Sequence, residues 1–251
     1  MSNKIYILIL SFLVISSCKK EAPVLLSSKE FSEEFTGDCK GEDCAKVTVD
    51  YIKILGEKEV VDKINFTIGN SILYFLKPDG EKNVNASVIS EAANLFIKRS
   101  EDDKSQFPEM NSYVAELSVS NSYTSSDILS VKTEFYNYIG GAHGNRITAF
   151  LNFDPVTGNL LLNNAIVKDR KIFTKFVEDI FRTKNKIPQN DTINSTGFWF
   201  DNDTFNLPES IGFSKEGMVI FYNSYVINSY SEDPIEFTIP WETASPYLNI
   251  K

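Results

Sequence analysis

Three stretches in the middle of the chain, 113–120, 128–138 and 145–153, alternate apolar and polar side chains and are separated by turn-forming residues. Alternation of period two puts one set of side chains on one face of a sheet, so the three together predict a meander. An earlier run, VTVDYIKIL over 47–55, is β-branched and alternates in the same way. Between this strand and the meander the period changes. Val60, Ile64, Ile68, Ile72 and Phe75 recur at helical spacing over 57–76, with Pro78-Asp79-Gly80 as the stop. Val88, Ala92, Leu95 and Phe96 form a second stripe over 85–99, with Asn85 available as its N-cap. Two such stripes are core faces, and what they cover is the sheet.

After the meander, Asp154-Pro155-Val156-Thr157-Gly158 reads as a hairpin turn leading to a short return strand over 159–162. A third amphipathic helix follows over 169–184, its stripe made by Ile172, Phe173, Phe176, Val177, Ile180 and Phe181, with Pro188 beyond its end. Residues 198–200 and 204–207 read as edge strands. Phe213, a turn at Lys215-Glu216-Gly217 and residues 218–222 make a hairpin, and 236–239 the last strand. Helices grouped rather than alternating with strands predict an α+β fold: antiparallel sheet or sheets against about three amphipathic helices, in one or two closely packed lobes.

The N-terminus has a different character. Lys4, an apolar run over 5–15 and Ser16-Ser17-Cys18 have the order of a lipoprotein signal peptide, removed before Cys18. Ile15 and Ser17 stand where a lipobox usually has Leu and a smaller residue. Acyl chains on Cys18, each buried methylene contributing about 0.8 kcal/mol, would hold the protein on a membrane with no spanning helix. The expected address is the bacterial cell envelope, facing the periplasm or the cell surface. Residues 18–46, polar and rich in Ser and Glu, read as a tether. Within it Cys39 and Cys44 form an even pair, which in an oxidising compartment predicts a disulfide closing a small loop.

Charge excludes one class of partner. The mature chain keeps 24 basic and 34 acidic residues, a net charge of −10. Such a chain does not bind nucleic acid by bulk electrostatics, whereas a basic protein suits it.

The only histidine lies in Gly140-Gly141-Ala142-His143-Gly144. One histidine cannot furnish a zinc hydrolase site, and no Gly-x-Ser-x-Gly elbow accompanies it for a Ser-His-Asp triad. Glu33-Glu34 and Asp102-Asp103 lie in polar runs of solvated character, and Asp201-Asn202-Asp203 departs from a calcium loop at Phe205. No cofactor or metal is expected. Two readings of His143 stay open: an imidazole bonded to nearby backbone at a strand end, or a group exposed with the glycine backbone at a binding surface.

The order Tyr136-Asn137-Tyr138-Ile139-Gly140-Gly141-Ala142-His143-Gly144, Asn152-Phe153-Asp154, Thr157-Gly158, a helix, Phe221-Tyr222-Asn223-Ser224-Tyr225 and Phe237-Thr238-Ile239-Pro240-Trp241 resembles the extracellular module of RsiV-like anti-sigma factors. The same module occurs as the non-catalytic N-terminal part of PdaC-like peptidoglycan deacetylases. The resemblance divides the chain at 47–130 and 131–251 and implies an α+β binding module that in RsiV-like proteins takes lysozyme. It places candidate ligand-binding residues at Tyr138, Gly140, Gly141, His143, Gly144 and Tyr225. The expectation is therefore a lipid-anchored, non-catalytic envelope module for a protein such as lysozyme or for peptidoglycan. A structural or assembly lipoprotein and a weak peptidoglycan or ester hydrolase are the alternatives.

Overall fold

The computed structural model describes residues 26–39, 43–77, 87–209, 211–229 and 232–250. The signal segment, Cys18, Pro78-Asp79-Gly80 and Asn85 lie outside them.

Five strands form the larger sheet, in the order β1-β2-β3-β4-β5: Ser27–Thr36, Lys46–Leu55, Val114–Thr124, Leu129–Tyr138 and Asn145–Phe153. The last three are the meander, each pair antiparallel, with a register shift between Asn121 and Tyr123. The sheet is not wholly antiparallel, because β2 pairs with β3 in parallel. The intervening chain holds α1 (Lys58–Phe75) and α2 (Ile89–Gln106), the long crossover that a parallel pair requires.

The tether expected over 18–46 is corrected by β1, which adds antiparallel to β2 over its whole length. Its polar composition is that of an edge strand with one face in water. On the other face Phe31 stacks on Tyr51 with ring centres 5.4 Å apart, and Phe35 packs against the core. The disulfide joins Cys39 to Cys44 just beyond β1, with a Cα–Cα distance of 5.7 Å. Asp43 beside it accepts from the Ser112 backbone N–H at 2.9 Å and pairs with Lys104, tying this loop to the end of α2.

Helix α2 runs several residues past the predicted end at 99. The charged run that followed is held on the helix by two i,i+4 pairs, Lys98 with Asp102 and Arg99 with Asp103, each at 2.8 Å. Both helices lie on one face of the sheet, where Ile64, Ile68, Ile72, Ala92 and Phe96 meet Val47, Val49, Leu117, Val131 and Phe135 in a first core.

The second core belongs to the rest of the chain. A short α3 (Asn163–Ile166) precedes α4 (Arg170–Lys184), which buries Phe173, Val177 and Phe181, and whose N-cap Asp169 accepts from Ile172 N–H. A three-stranded antiparallel sheet follows: β6 (Ile211–Phe213), β7 (Gly217–Tyr222) and β8 (Ile235–Pro240), with a single turn, α5 (Trp241–Ala244), after it. The strands expected at 198–200 and 204–207 are irregular chain around a 3₁₀ turn at Asp201–Asp203. Asn194 takes the place of a strand partner there: its Oδ1 accepts from Phe200 N–H and its Nδ2 donates to Phe200 O, both at 2.8 Å. Phe200 and Phe205 are nonetheless buried and Phe198 half-buried, around Phe181 at the centre of a ring that also includes Tyr222, while Trp199 faces outward. The expected return strand over 159–162 shrinks to one bridge between Phe153 and Leu160.

The second lobe sits on the face of the large sheet opposite the helices, at its β4–β5 end. Register puts Ser130 opposite Asn152, Lys132 opposite Phe150 and Glu134 opposite Thr148, and these residues point away from the first core. Four of them bind the second lobe directly, Thr148 through Asn223 and the other three through β6. Phe213 N–H donates to Ser130 Oγ at 3.2 Å, Asn152 Nδ2 donates to Ile211 O at 2.6 Å, and Phe150 lies against Gly212, where an added Cβ would come within 2.2 Å of the ring. The division expected at 130/131 therefore falls inside β4, and the two cores meet across β4 and β5, whose opposite faces belong one to each.

Candidate functional site

The glycine–histidine stretch is the connection between β4 and β5, two strands whose pairing begins at Asn137 and Asn145. A connection this tight needs a left-handed residue, and Gly140 supplies it with φ of +80°. Gly144 is required for a different reason. The Tyr136 side chain crosses its α-carbon so closely that a Cβ would lie 2.3–2.5 Å from two ring carbons and the hydroxyl oxygen. On its own strand pair, Tyr136 carries Arg146 over its ring, the guanidinium carbon 5.3 Å from the centroid. Gly141 is open, with only the His143 carbonyl oxygen near an added Cβ, at 3.8 Å.

His143 is exposed at the tip. Its Nδ1 lies 2.9 Å from Gly144 O. A carbonyl oxygen can only accept, so Nδ1 carries the proton in this contact. The bond to adjacent backbone agrees with the first of the two readings of the imidazole, and its exposure with the second.

Opposite this loop stands the turn after β7. Asn223 anchors it: Thr148 N–H donates to Asn223 Oδ1 at 2.7 Å, and Asn223 Nδ2 donates to Thr148 O at 2.9 Å. Two residues on, Tyr225 has φ of +68° and is 54% exposed. A left-handed tyrosine is uncommon outside a constrained turn. The ring centres of Tyr225 and His143 are 6.5 Å apart. Of the six residues singled out from the sequence, the structure thus brings Gly140, Gly141, His143, Gly144 and Tyr225 to one surface. Tyr138, half-buried at the last position of β4, sits at the root of the loop. Sequence reasoning missed Asn223 and Arg146 as members of this surface. Asn223 was legible only as a motif letter, because its partner Thr148 is distant in sequence.

Among the described residues no three His, Cys, Asp or Glu side chains gather where a metal ion could be held. Paired Asp102 and Asp103 belong to the α2 ion pairs already described, and Asp203 Oδ1 accepts from Asn194 N–H at 3.0 Å.

Residues 39–146 match the family model described as "Deacetylase PdaC", and residues 160–242 match that of DUF3298, a family of proteins of unknown function. The two matches follow one another along the chain. The stretch between the matches contains all but the first two residues of β5, the strand on which the second lobe is mounted. Among solved structures, a DUF3298 family member from Bacteroides fragilis NCTC 9343 is 19% identical with a TM-score of 0.74, covering 90% of this chain and 95% of that one. A DUF3298 family protein from Pseudomonas aeruginosa PAO1 is 18% identical with a TM-score of 0.69, covering 90% of this chain and 96% of that one. At these identities the likeness shows a shared α+β fold. No curated protein matches the chain.

Proposed function

We propose that the protein is a lipid-anchored, non-catalytic module of the bacterial cell envelope that binds a protein or cell-wall glycan, with lysozyme as the concrete candidate. The observation that carries this reading is the exposed pairing of His143 with Tyr225, two rings from different lobes held 6.5 Å apart by loops that are each fixed from beneath. A tyrosine held in a left-handed turn is a rigid, amphipathic contact group that loses little freedom on binding. The net charge of −10 on the mature chain favours a basic partner. The Cys39–Cys44 bridge suits an oxidising compartment, which agrees with export by the N-terminal segment and lipidation at Cys18.

Retention of lysozyme on the immobilised protein, measured at low and raised salt, tests the reading. Binding that weakens with salt and is lost in His143→Ala and Tyr225→Ala, with both variants folded, is the expected result. No retention at either salt concentration discards lysozyme as the ligand, and retention unchanged in both variants discards this surface.

A further inference from the structure

A cavity of about 450 Å³ opens at the junction of the lobes, away from His143 and Tyr225. Its floor is Phe150 and Asn152 of β5, its walls are residues 160–164 and 207–209, and Arg170 stands at its rim. The volume is in the range of small-molecule sites. Three features of its lining each select a chemical group.

Asn152 is 3% exposed, and among the described residues its Oδ1 has no hydrogen-bond partner. The amide cannot be reversed to cure this, because Nδ2 already donates to Ile211 O at 2.6 Å. A buried acceptor in a cavity wall without a donor calls for one from a ligand. Arg170 is exposed at the first position of α4, followed by Lys171, and the one acid at this helix end is the N-cap Asp169, whose carboxylate is taken up by Ile172 N–H. Two cations against the single charge of Asp169 leave this helix end net positive, and a bound anion is favoured by that charge and by the macrodipole together. Among the described residues the Arg170 guanidinium makes no ion pair or hydrogen bond. Finally, Leu160 and Leu162 are 42% and 63% exposed at the mouth, beside Phe150. Glu209 shares the lining and disfavours a second negative charge on whatever enters.

We propose that this cavity binds a singly charged N-acyl amino acid or the C-terminal end of a short peptide. Arg170 takes the free carboxylate in a charge-assisted pair, Asn152 Oδ1 accepts the amide N–H, and the leucines cover the apolar side chain. Asn163 holds the wall in shape, its Nδ2 donating to Pro208 O at 3.2 Å and Glu209 O at 3.0 Å. The site is independent of the lysozyme reading and stands or falls separately.

The test is calorimetric titration of the whole chain with N-acetyl-leucyl-alanine and with the same compound as its C-terminal amide. The acid is expected to bind saturably and the amide at least about tenfold more weakly. Arg170→Gln, at an exposed position, should lower affinity for the acid to that for the amide and leave the amide unchanged, while Leu162→Ser weakens both. His143→Ala should alter neither, and Arg170→Gln should leave lysozyme retention unchanged. Absence of saturable binding by the acid, equal affinity for acid and amide, or an Arg170→Gln variant that binds the acid as well as the parent does would each overturn the proposal.

Discussion

Asn223 hydrogen-bonds both backbone groups of Thr148, accepting from its N–H at 2.7 Å and donating to its carbonyl at 2.9 Å. Thr148 lies on β5, the edge strand of the large sheet, so one side chain from the second lobe does what a neighbouring strand would do. Asn223→Ala removes both bonds and leaves a buried Thr148 backbone unpaired, which should cost about 1–3 kcal/mol. Urea denaturation would show a lower midpoint with an unchanged slope, and the release of the turn should also weaken any ligand contact made through Tyr225.

The glycines of the β4–β5 loop are not equivalent. Gly144→Ala must push the Tyr136 ring away from its own strand pair and unseat Arg146, a rearrangement of about 1–3 kcal/mol by analogy with overpacked sites. Gly141→Ala meets nothing closer than 3.8 Å and should melt within a degree or two of the parent. Thermal melts of the two variants side by side decide the matter; equal losses would contradict the contact between Gly144 and Tyr136.

Acid should loosen the end of α2. The Tyr113 hydroxyl, donating at 2.6 Å, is the main reason the Asp103 carboxyl is held below its ordinary range, with Arg99 adding to it. A depressed carboxylate contributes stability that is present above its unfolded value, near 3.9, and is lost as pH falls through the folded one. Asp43 behaves likewise through Lys104 and the Ser112 N–H. Asp103→Asn should therefore reduce stability near neutrality and flatten its dependence on pH below about 4. Denaturation midpoints of parent and variant over the acid range check this.

At the alkaline end, Tyr51 is pushed up to about 12 by burial first and then by its bond to Glu33, 2.7 Å away. A raised phenol contributes stability that is intact below the unfolded value near 10 and is lost as pH rises through the folded one. Replacing Glu33 with Gln should move the Tyr51 titration back toward 10, read as the difference between NMR titrations of the parent and of Tyr51→Phe.

Breaking the Cys39–Cys44 bridge closes off a smaller effect. The loop spans a sequence separation of only 5, for which chain entropy gives about 2 kcal/mol, and Asp43 remains tied to Ser112 and Lys104. Reduction should accordingly lower the melting temperature by several degrees without unfolding the protein at 25 °C; loss of the fold on reduction would show that β1 depends on the bridge.

The meander, α1, α4 and the hairpin of β6 and β7 were legible because each carries its own period: Val60 to Ile72 on α1, Phe173 to Phe181 on α4, alternate residues on β3 to β5. What was not legible is what depends on distant partners. Strand β1 looks like a tether because Phe31 and Phe35 are its only apolar side chains, and their partners lie beyond a loop. Residues 198–207 look like strands because Phe198, Phe200 and Phe205 are as apolar as strand residues, and nothing local says that Asn194 will take the backbone bonds of Phe200. The division at 130/131 was misplaced for a related reason. Ser130 and Asn152 read as ordinary polar positions on the outer face of a sheet, and only in three dimensions do they become the seat of a second lobe. The candidate site was half visible: the glycines and His143 announce themselves as a cluster, whereas Asn223 and the cavity beside Arg170 had one faint local sign, two cations at the start of a helix.

The mounting of β6 on β4 and β5 has a consequence for heredity as much as for folding. Ile128, from the connection before β4, is fully buried in the second core, and the backbone of β6 bonds to Ser130 and Asn152 instead of to a fourth strand of its own. A fragment beginning at residue 160 would expose that face to water, and a fragment ending at 146 would lose all but the first two residues of the edge strand. The two matched segments thus share one buried interface, and a gene cut between them should yield halves that each expose an apolar face, where a cut between independent modules leaves both covered.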